Sequence, residues 1–442
     1  MRKGGKPRAG VRPIGVGMLF TSLLLSIPVP PTGAQAAGET ARPQGEAEID
    51  AALAEARIGN LRPSEMLLGR ADLGPATHLL KAQYSAALLR EADMKASLAA
   101  YFSAGDDHPA RMSRARSIAA SSAFAAGDYR EAAAQASALL STAPVIPDDE
   151  RKGFERLAAI ASLLADASPQ KVVTIGNGAP TPITRDKVGL IRIAMDAGAH
   201  TQEAVIDTGA NLSVASASAA RKMGLRIIEG HARVGNSVGT DVGVRLGIAD
   251  RLEFAGAQLR NVVFLVMEDE ALTFPVPGGY RIDAIIGLPV LRAIGRFRFT
   301  RNDFRIEPAA QQAAQPQNLR LIGSDPYVVV TIAGHDHPLF LDSGANLSSL
   351  FYRYGAEHPE WQVGDAAKGS RGGAGGVQQV ESVSLKNLPL RLGALEKTVP
   401  AIGLSKTSDE GKERAYGVFG ADLITVFDNV LIDFTAMRMD AQ

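Results

Sequence analysis

Asp207-Thr208-Gly209-Ala210-Asn211-Leu212-Ser213 recurs as Asp342-Ser343-Gly344-Ala345-Asn346-Leu347-Ser348. Six of the seven positions are identical, the seventh exchanges Thr for Ser, and the copies lie 135 residues apart. The flanks repeat too. An apolar strand precedes each Asp, Ala204-Val205-Ile206 and Leu339-Phe340-Leu341. Downstream, at nearly equal distance, each copy has two apolar residues and a glycine, Ile285-Ile286-Gly287 and Val418-Phe419-Gly420. Apolar runs follow both, over residues 290–299 and 423–434. A single Asp after an apolar strand is commonly a turn residue that hydrogen-bonds its own backbone. Two near-identical copies with the same downstream partner point instead to a duplicated module.

Around this repeat the chain alternates Val, Ile, Leu and Phe with polar residues, and glycine marks the turns, which predicts all-β structure. Residues 188–194 and 202–206 read as strands joined around Asp196-Ala197-Gly198. Residues 252–267 read as two further strands, and 296–306 as a pair around Arg301-Asn302. An Ala/Gln-rich linker, 309–318, separates a first β module (177–308) from a second (319–442).

N-terminal to the β modules, residues 49–168 are dominated by Ala, Leu, Arg and Glu. Apolar positions recur at helical spacing, as in Leu157, Ile160, Leu163 and Leu164. This predicts an all-α domain of several short-looped helices. Ala125 to Ala133 resembles the turn and second helix of one tetratricopeptide repeat, so the domain is either TPR-like or a plain helical domain. Residues 37–48 read as a polar linker. Residues 1–36 read as a signal peptide: Arg2, Lys3, Lys6, Arg8 and Arg12 lead, a Leu-rich apolar run follows, and Ala34-Gln35-Ala36 is a small-x-small cleavage pattern. The run is short for a membrane span of about 20 residues. No stable span is expected after cleavage, the alternative being a retained anchor. The expected destination is the periplasm or the outside.

The 442-residue chain has room for several domains. Lys+Arg and Asp+Glu are both 47, so nothing in the overall charge favours nucleic acid or an anionic membrane. Cleaving the leader removes five positive charges and no negative one. The chain has no cysteine, which excludes disulfides, thiolate metal sites, iron–sulfur clusters and cysteine nucleophiles.

Two homologous lobes related by a pseudo-twofold axis would bring one Asp each to a shared seam. The glycines after them let the two turns approach closely. Carboxylates about 3 Å apart cannot both ionise cheaply, so they share a proton and one pKa rises. The ionised member can act as general base on a water, and the protonated member can donate to the carbonyl under attack. That is amide hydrolysis with neither metal nor cofactor.

On these motifs, residues 188–306 and 321–440 each resemble one lobe of a retropepsin-like aspartic protease. Together they resemble the bilobal pepsin-type arrangement in one chain. Proton sharing between two Asp residues is the known property of that family. The resemblance implies that Asp207 and Asp342 are the catalytic pair. It implies that Thr208-Gly209 and Ser343-Gly344 support them, the two hydroxyls reaching across the seam. It also implies that Ile286-Gly287 and Phe419-Gly420 pack behind the catalytic turns. A monomer acting on a peptide or protein substrate is expected, with a possible protein partner on the helical domain. Ala210 and Ala345 resemble the retroviral branch, where pepsins carry a hydroxyl residue. Without that hydroxyl to favour the ionised form, the optimum is expected from mildly acidic to near-neutral pH.

The family closes a glycine-bearing hairpin flap over its substrate. The candidates are residues 233–244, with Gly235 and Gly239, and 369–379, with Gly372 and Gly375. Two alternatives stand beside the endopeptidase reading. One is a catalytically idle peptide-binding protein. The other is a serine hydrolase using Ser237 in Gly235-Asn236-Ser237-Val238-Gly239, a nucleophile-elbow pattern that requires a following helix. His335-Asp336-His337 lacks further clustered ligands and reads as solvent-facing turn residues, so no metal is expected. Trp361 reads as a packing residue.

Overall fold

The computed structural model describes residues 18–20, 44–70, 74–142, 146–176, 178–198, 200–235, 241–275, 277–308, 316–361, 365–373, 376–406 and 416–442. An N-terminal helical region precedes a β-rich region. Among the described residues seven helices run from Gln44–Ala56 to Asp148–Leu163. The first starts inside the stretch expected to be linker. Helices Arg62–Leu68, Pro75–Ala87 and Pro109–Ala126 each open with proline in the first turn, where its missing N–H costs nothing. Pro109–Ala126 stops at Gly127, whose φ of +78° suits glycine, and Tyr129–Thr142 then runs back against it. Among the described residues no helix is long and apolar enough to cross a membrane. Of the leader, only Met18–Phe20 is described, a short strand parallel to Asp365–Gly373. The rest of 1–36, with the cleavage pattern, lies outside the described residues.

The two β modules share one strand order. In the first, neighbours run Ile191–Ala197, His200–Ile206, Ala284–Ile286, Ser213–Ser216, Val262–Met267, Asp241–Ala249, Arg226–Gly235. In the second they run Asp325–Ile332, His335–Leu341, Gly417–Phe419, Ser349–Leu350, Leu395–Ser405, Gly376–Leu392, Asp365–Gly373. The first module also takes in Lys171–Thr174, N-terminal to the expected start at 177. The region 252–267 holds three strands, not two, because Ala255-Gly256 makes an additional tight turn with both residues at positive φ.

A five-stranded antiparallel sheet joins the modules. Arg296–Phe299 pairs with Val430–Asp433 at its centre. Asp303–Ile306, Thr181–Pro182 and Arg438–Ala441 complete it. Phe297, Phe299 and Phe304 pack together beneath it with ring centroids 5.2 to 5.8 Å apart.

Burial explains one sequence pattern directly. Ile191–Ala197 alternates, with Ile191, Ile193, Met195 and Ala197 inward. Val262–Met267 is apolar throughout because both its faces are covered. Val262, Phe264 and Val266 join the core that runs through both modules. Val263, Leu265 and Met267 join a second core completed by the helical residues Phe154, Leu157, Ile160 and Leu164.

Candidate active site

Each Asp of the repeat ends a strand and enters a turn with the same hydrogen bonds. The Asp207 N–H donates to Ile286 O and the Asp342 N–H to Phe419 O, both at 3.0 Å. The Leu288 N–H donates to Ala210 O and the Ala421 N–H to Ala345 O, both at 2.8 Å. Ser213 Oγ accepts from the Gly287 N–H at 3.1 Å, and Ser348 Oγ accepts from the Gly420 N–H at 2.8 Å. A Cβ at Gly287 would sit 2.7 Å from Ala210 O, and one at Gly420 2.7 Å from Ala345 O, so glycine lets each downstream turn close on its Asp loop.

Across the seam the two loops grip each other. Thr208 Oγ1 donates to Leu341 O at 2.7 Å and accepts from the Ser343 N–H at 3.0 Å. Ser343 Oγ donates to Ile206 O at 2.7 Å and accepts from the Thr208 N–H at 3.0 Å. Each hydroxyl, wholly buried, thus fills its donor and an acceptor role on the opposite module. The Asp207 carboxyl lies against Gly344, leaving no room there for a Cβ, and accepts from the Gly209 N–H at 2.9 Å. Asp207 and Asp342 are 3% and 0% exposed. The structure therefore brings Asp207, Thr208, Gly209, Asp342, Ser343 and Gly344 together at one seam, with Ile286-Gly287 and Phe419-Gly420 behind them.

A second reciprocal pair lay beyond sequence reading, although its residues stand in the repeat. Asn211 Nδ2 donates to Asp325 Oδ1 and Asn346 Nδ2 to Val188 O, each at 3.1 Å and each onto the other module. Their identical placement in the two motifs was the available signal.

Both flap candidates fall on hairpins. Arg226–Gly235 pairs with Asp241–Ala249, and Asp365–Gly373 with Gly376–Leu392. Gly235 and Gly372 end or approach the end of their strands, while Gly239 and Gly375 lie outside the described residues. The Gly235 and Gly230 backbones abut the last N-terminal helix, at Arg156 and Leu163. Arg156 also pairs with Asp241 across from Gly235. Ser237 lies outside the described residues. The segment after it is the strand Asp241–Ala249, not the helix a nucleophile elbow requires.

One expectation needs correction. His335 is exposed, but His337 is buried, because its strand turns inward toward Asp342. Its Nε2 faces His358 Nε2 at 3.1 Å, and burial, with His358 next, pushes its pKa down to about 4. Among the described residues no group of three His, Asp or Glu is arranged to hold a metal ion. Trp361 packs half-buried on the main core.

Comparison with known proteins bears on the first β module. The aspartyl protease family model matches residues 191–290, the stretch containing Asp207 and Ile286-Gly287. A retropepsin-like aspartic protease from Rickettsia conorii aligns at 15% identity over 31% of this chain and 91% of its own, with a TM-score of 0.21. The search of curated proteins returned no match. The aspartyl protease match thus lies within the first β module.

Proposed function

We propose that the protein is an exported aspartic endopeptidase in which Asp207 and Asp342, one from each lobe, act on a single water. The observation that carries this reading is the reciprocal bonding of Thr208 and Ser343, which ties the two acid-bearing loops into one seam. Two carboxyls held there share a proton. The ionised member takes a proton from water as it attacks the peptide carbonyl. The protonated member donates to the carbonyl oxygen, and the tetrahedral intermediate collapses as the amine leaves with a proton. The Gly209 N–H steadies the Asp207 carboxylate throughout. The two hairpins are the candidates for closing over substrate.

The leader supports export, and N-terminal sequencing of protein recovered from the periplasm or medium should begin after Ala36. The helical domain supports a restraining role, since its last helix lies on the first-lobe hairpin. Recruitment of a protein substrate by the same domain is compatible with that contact.

The decisive experiment profiles a peptide library with purified mature protein from about pH 3 to about pH 8, the range in which a carboxyl dyad titrates. Cleavage should peak from mildly acidic to near-neutral pH, be blocked by a pepstatin-type inhibitor and be indifferent to a fluorophosphonate. Peptide binding without cleavage at any pH, or fluorophosphonate labelling of Ser237, would overturn the reading.

A further inference from the structure

A cavity of about 260 Å³ opens where the helical domain and both lobes meet. Phe124 and Tyr129 line it from the helices, Leu288 and Arg292 from the first lobe, and Ser324 and Phe434 from the second. Neither Asp207 nor Asp342 lines it, although Asn211 and Leu212 of the Asp207 loop do.

Arg292 is the unexplained group. It stands in the last turn of the helix Leu288–Ile294, so its charge suits the local helix end. Its guanidinium, however, has no hydrogen bond or ion pair among the described residues. It lies deep among protein atoms, and desolvation pulls its pKa below the ordinary arginine value. The opposing charge that reaches it is Glu91, which Lys95 already engages at 2.7 Å. Part of the Arg292 surface remains accessible, and the cavity it lines provides the opening. An embedded guanidinium cannot shed its proton, and leaving it unpaired is costly. An anion in the cavity would relieve that cost with charge-assisted, bidentate bonds.

The remaining lining narrows the ligand. Phe124, Leu288 and Phe434 offer apolar contact on several sides, and Ser324 and Gln170 add polar groups. Gln170 Nε2 is committed to Pro289 O at 3.0 Å, which fixes its side chain at the wall. We propose that this cavity binds a small carboxylate with a short apolar body, its carboxylate anchored by Arg292. The ligand would touch Asn211 and Leu212, which continue the Asp207 loop, and would fasten the helical domain to both lobes.

The test measures thermal unfolding and calorimetric binding of the full mature chain with hexanoate. Hexanol, inorganic phosphate and sodium chloride at matched ionic strength are the controls. Hexanoate should raise the melting temperature by about 3 °C at a hundredfold excess over its Kd, and hexanol should not. A shift with phosphate as large as with hexanoate would replace the carboxylate class by a general anion site and overturn the apolar part of the proposal. Arg292→Met should weaken hexanoate binding at least about tenfold. Arg292→Lys keeps the cation in the last turn and should retain folding with intermediate affinity. No shift with hexanoate, or an equal shift in wild type and both variants, would reduce Arg292 to a helix-end cation and sink the proposal. The readout does not depend on protease activity, so it stands or falls separately from the catalytic reading.

Discussion

Leu212 and Leu347 occupy the same place in the two copies of the repeat, yet Leu212 is 4% exposed and Leu347 is 39% exposed. The first lobe turns this face to the helical domain. There Leu212, Val205 and Val214 share a core with helical Phe154, Leu157 and Ile160. Among the described residues the matching face of the second lobe carries a smaller cluster of Ile322, Tyr327, Phe340, Ala345 and Val418, with Gly59 of the helical region against Ile322 and Pro338. The two Asp loops share the bonds to their downstream glycine turns and the reciprocal Thr208–Ser343 grip, while Ser348 alone adds bonds to Asp422. The Asp loops are alike at the seam, while the outer faces have diverged: the helix Asp148–Leu163 covers the first, and the second meets the helical region at Gly59.

The largest expected effect tests the equal half of this comparison. Asp207→Asn and Asp342→Asn should each lower kcat at least about a thousandfold, since each removes one partner in proton transfer. Unchanged peptide affinity would show the cleft intact. If one variant kept substantial activity, the two acids would not act as a pair.

Next come the cross-seam hydroxyls. Thr208→Ala and Ser343→Ala each delete two buried bonds to the opposite lobe, at a cost of about 2 kcal/mol in stability. Denaturant unfolding should give similar losses for the two. Thr208→Ser, which keeps the hydroxyl, should restore most of the stability. Unequal losses would show that the grip is less symmetric than its geometry.

A third test isolates a residue that differs between the lobes. Two positions after the downstream glycine the first lobe has Pro289 and the second has Asp422. Asp422 Oδ1 accepts from the Ser348 N–H at 2.9 Å, Ser348 Oγ at 2.5 Å and the Leu423 N–H at 2.8 Å. Burial nevertheless raises its pKa above the usual carboxylate value, outweighing those bonds. The folded state therefore favours the protonated acid. That stability is fully present below the unfolded pKa of about 4 and is lost as pH rises through the raised folded value. Asp422→Asn keeps the accepting oxygen and removes the titration. Its melting temperature should match wild type near about pH 4 and exceed it at neutral pH. A constant difference across that range would contradict the assignment.

These particulars mark what was readable in the sequence. The repeat revealed the Asp loops, Ile286-Gly287 and Phe419-Gly420, because their geometry depends on short local patterns. The joining sheet was hidden, because nothing local in Arg296–Phe299 or Val430–Asp433 says that they pair with each other. The spacing of Leu157, Ile160 and Leu164 revealed an apolar helix face but not the sheet it covers. The continuous apolar run Val262–Met267 held that information, since a strand buried on both faces needs two partners. The inward position of His337 escaped because a strand flanking a buried Asp can carry a polar residue inward when other rings receive it.

The smallest expected effect probes the unequal half. Arg156 pairs with Asp241 at the end of the first-lobe hairpin, with side chains 21% and 34% exposed. Solvent screening at such exposure limits the pair to about 0.5 kcal/mol, and Asp241 keeps Arg233 at 3.6 Å when Arg156 is lost. If this contact holds the hairpin down, Arg156→Ala should raise kcat/KM about twofold at low salt. Added salt should erase the difference, because it screens the wild-type pair as well. Leu163→Ala loosens the apolar contact against Gly230 and should act in the same direction without the salt dependence. Unchanged kcat/KM in both variants would mean that the helices cover the first lobe for stability alone, and the asymmetry between the lobes would then carry no control over the cleft.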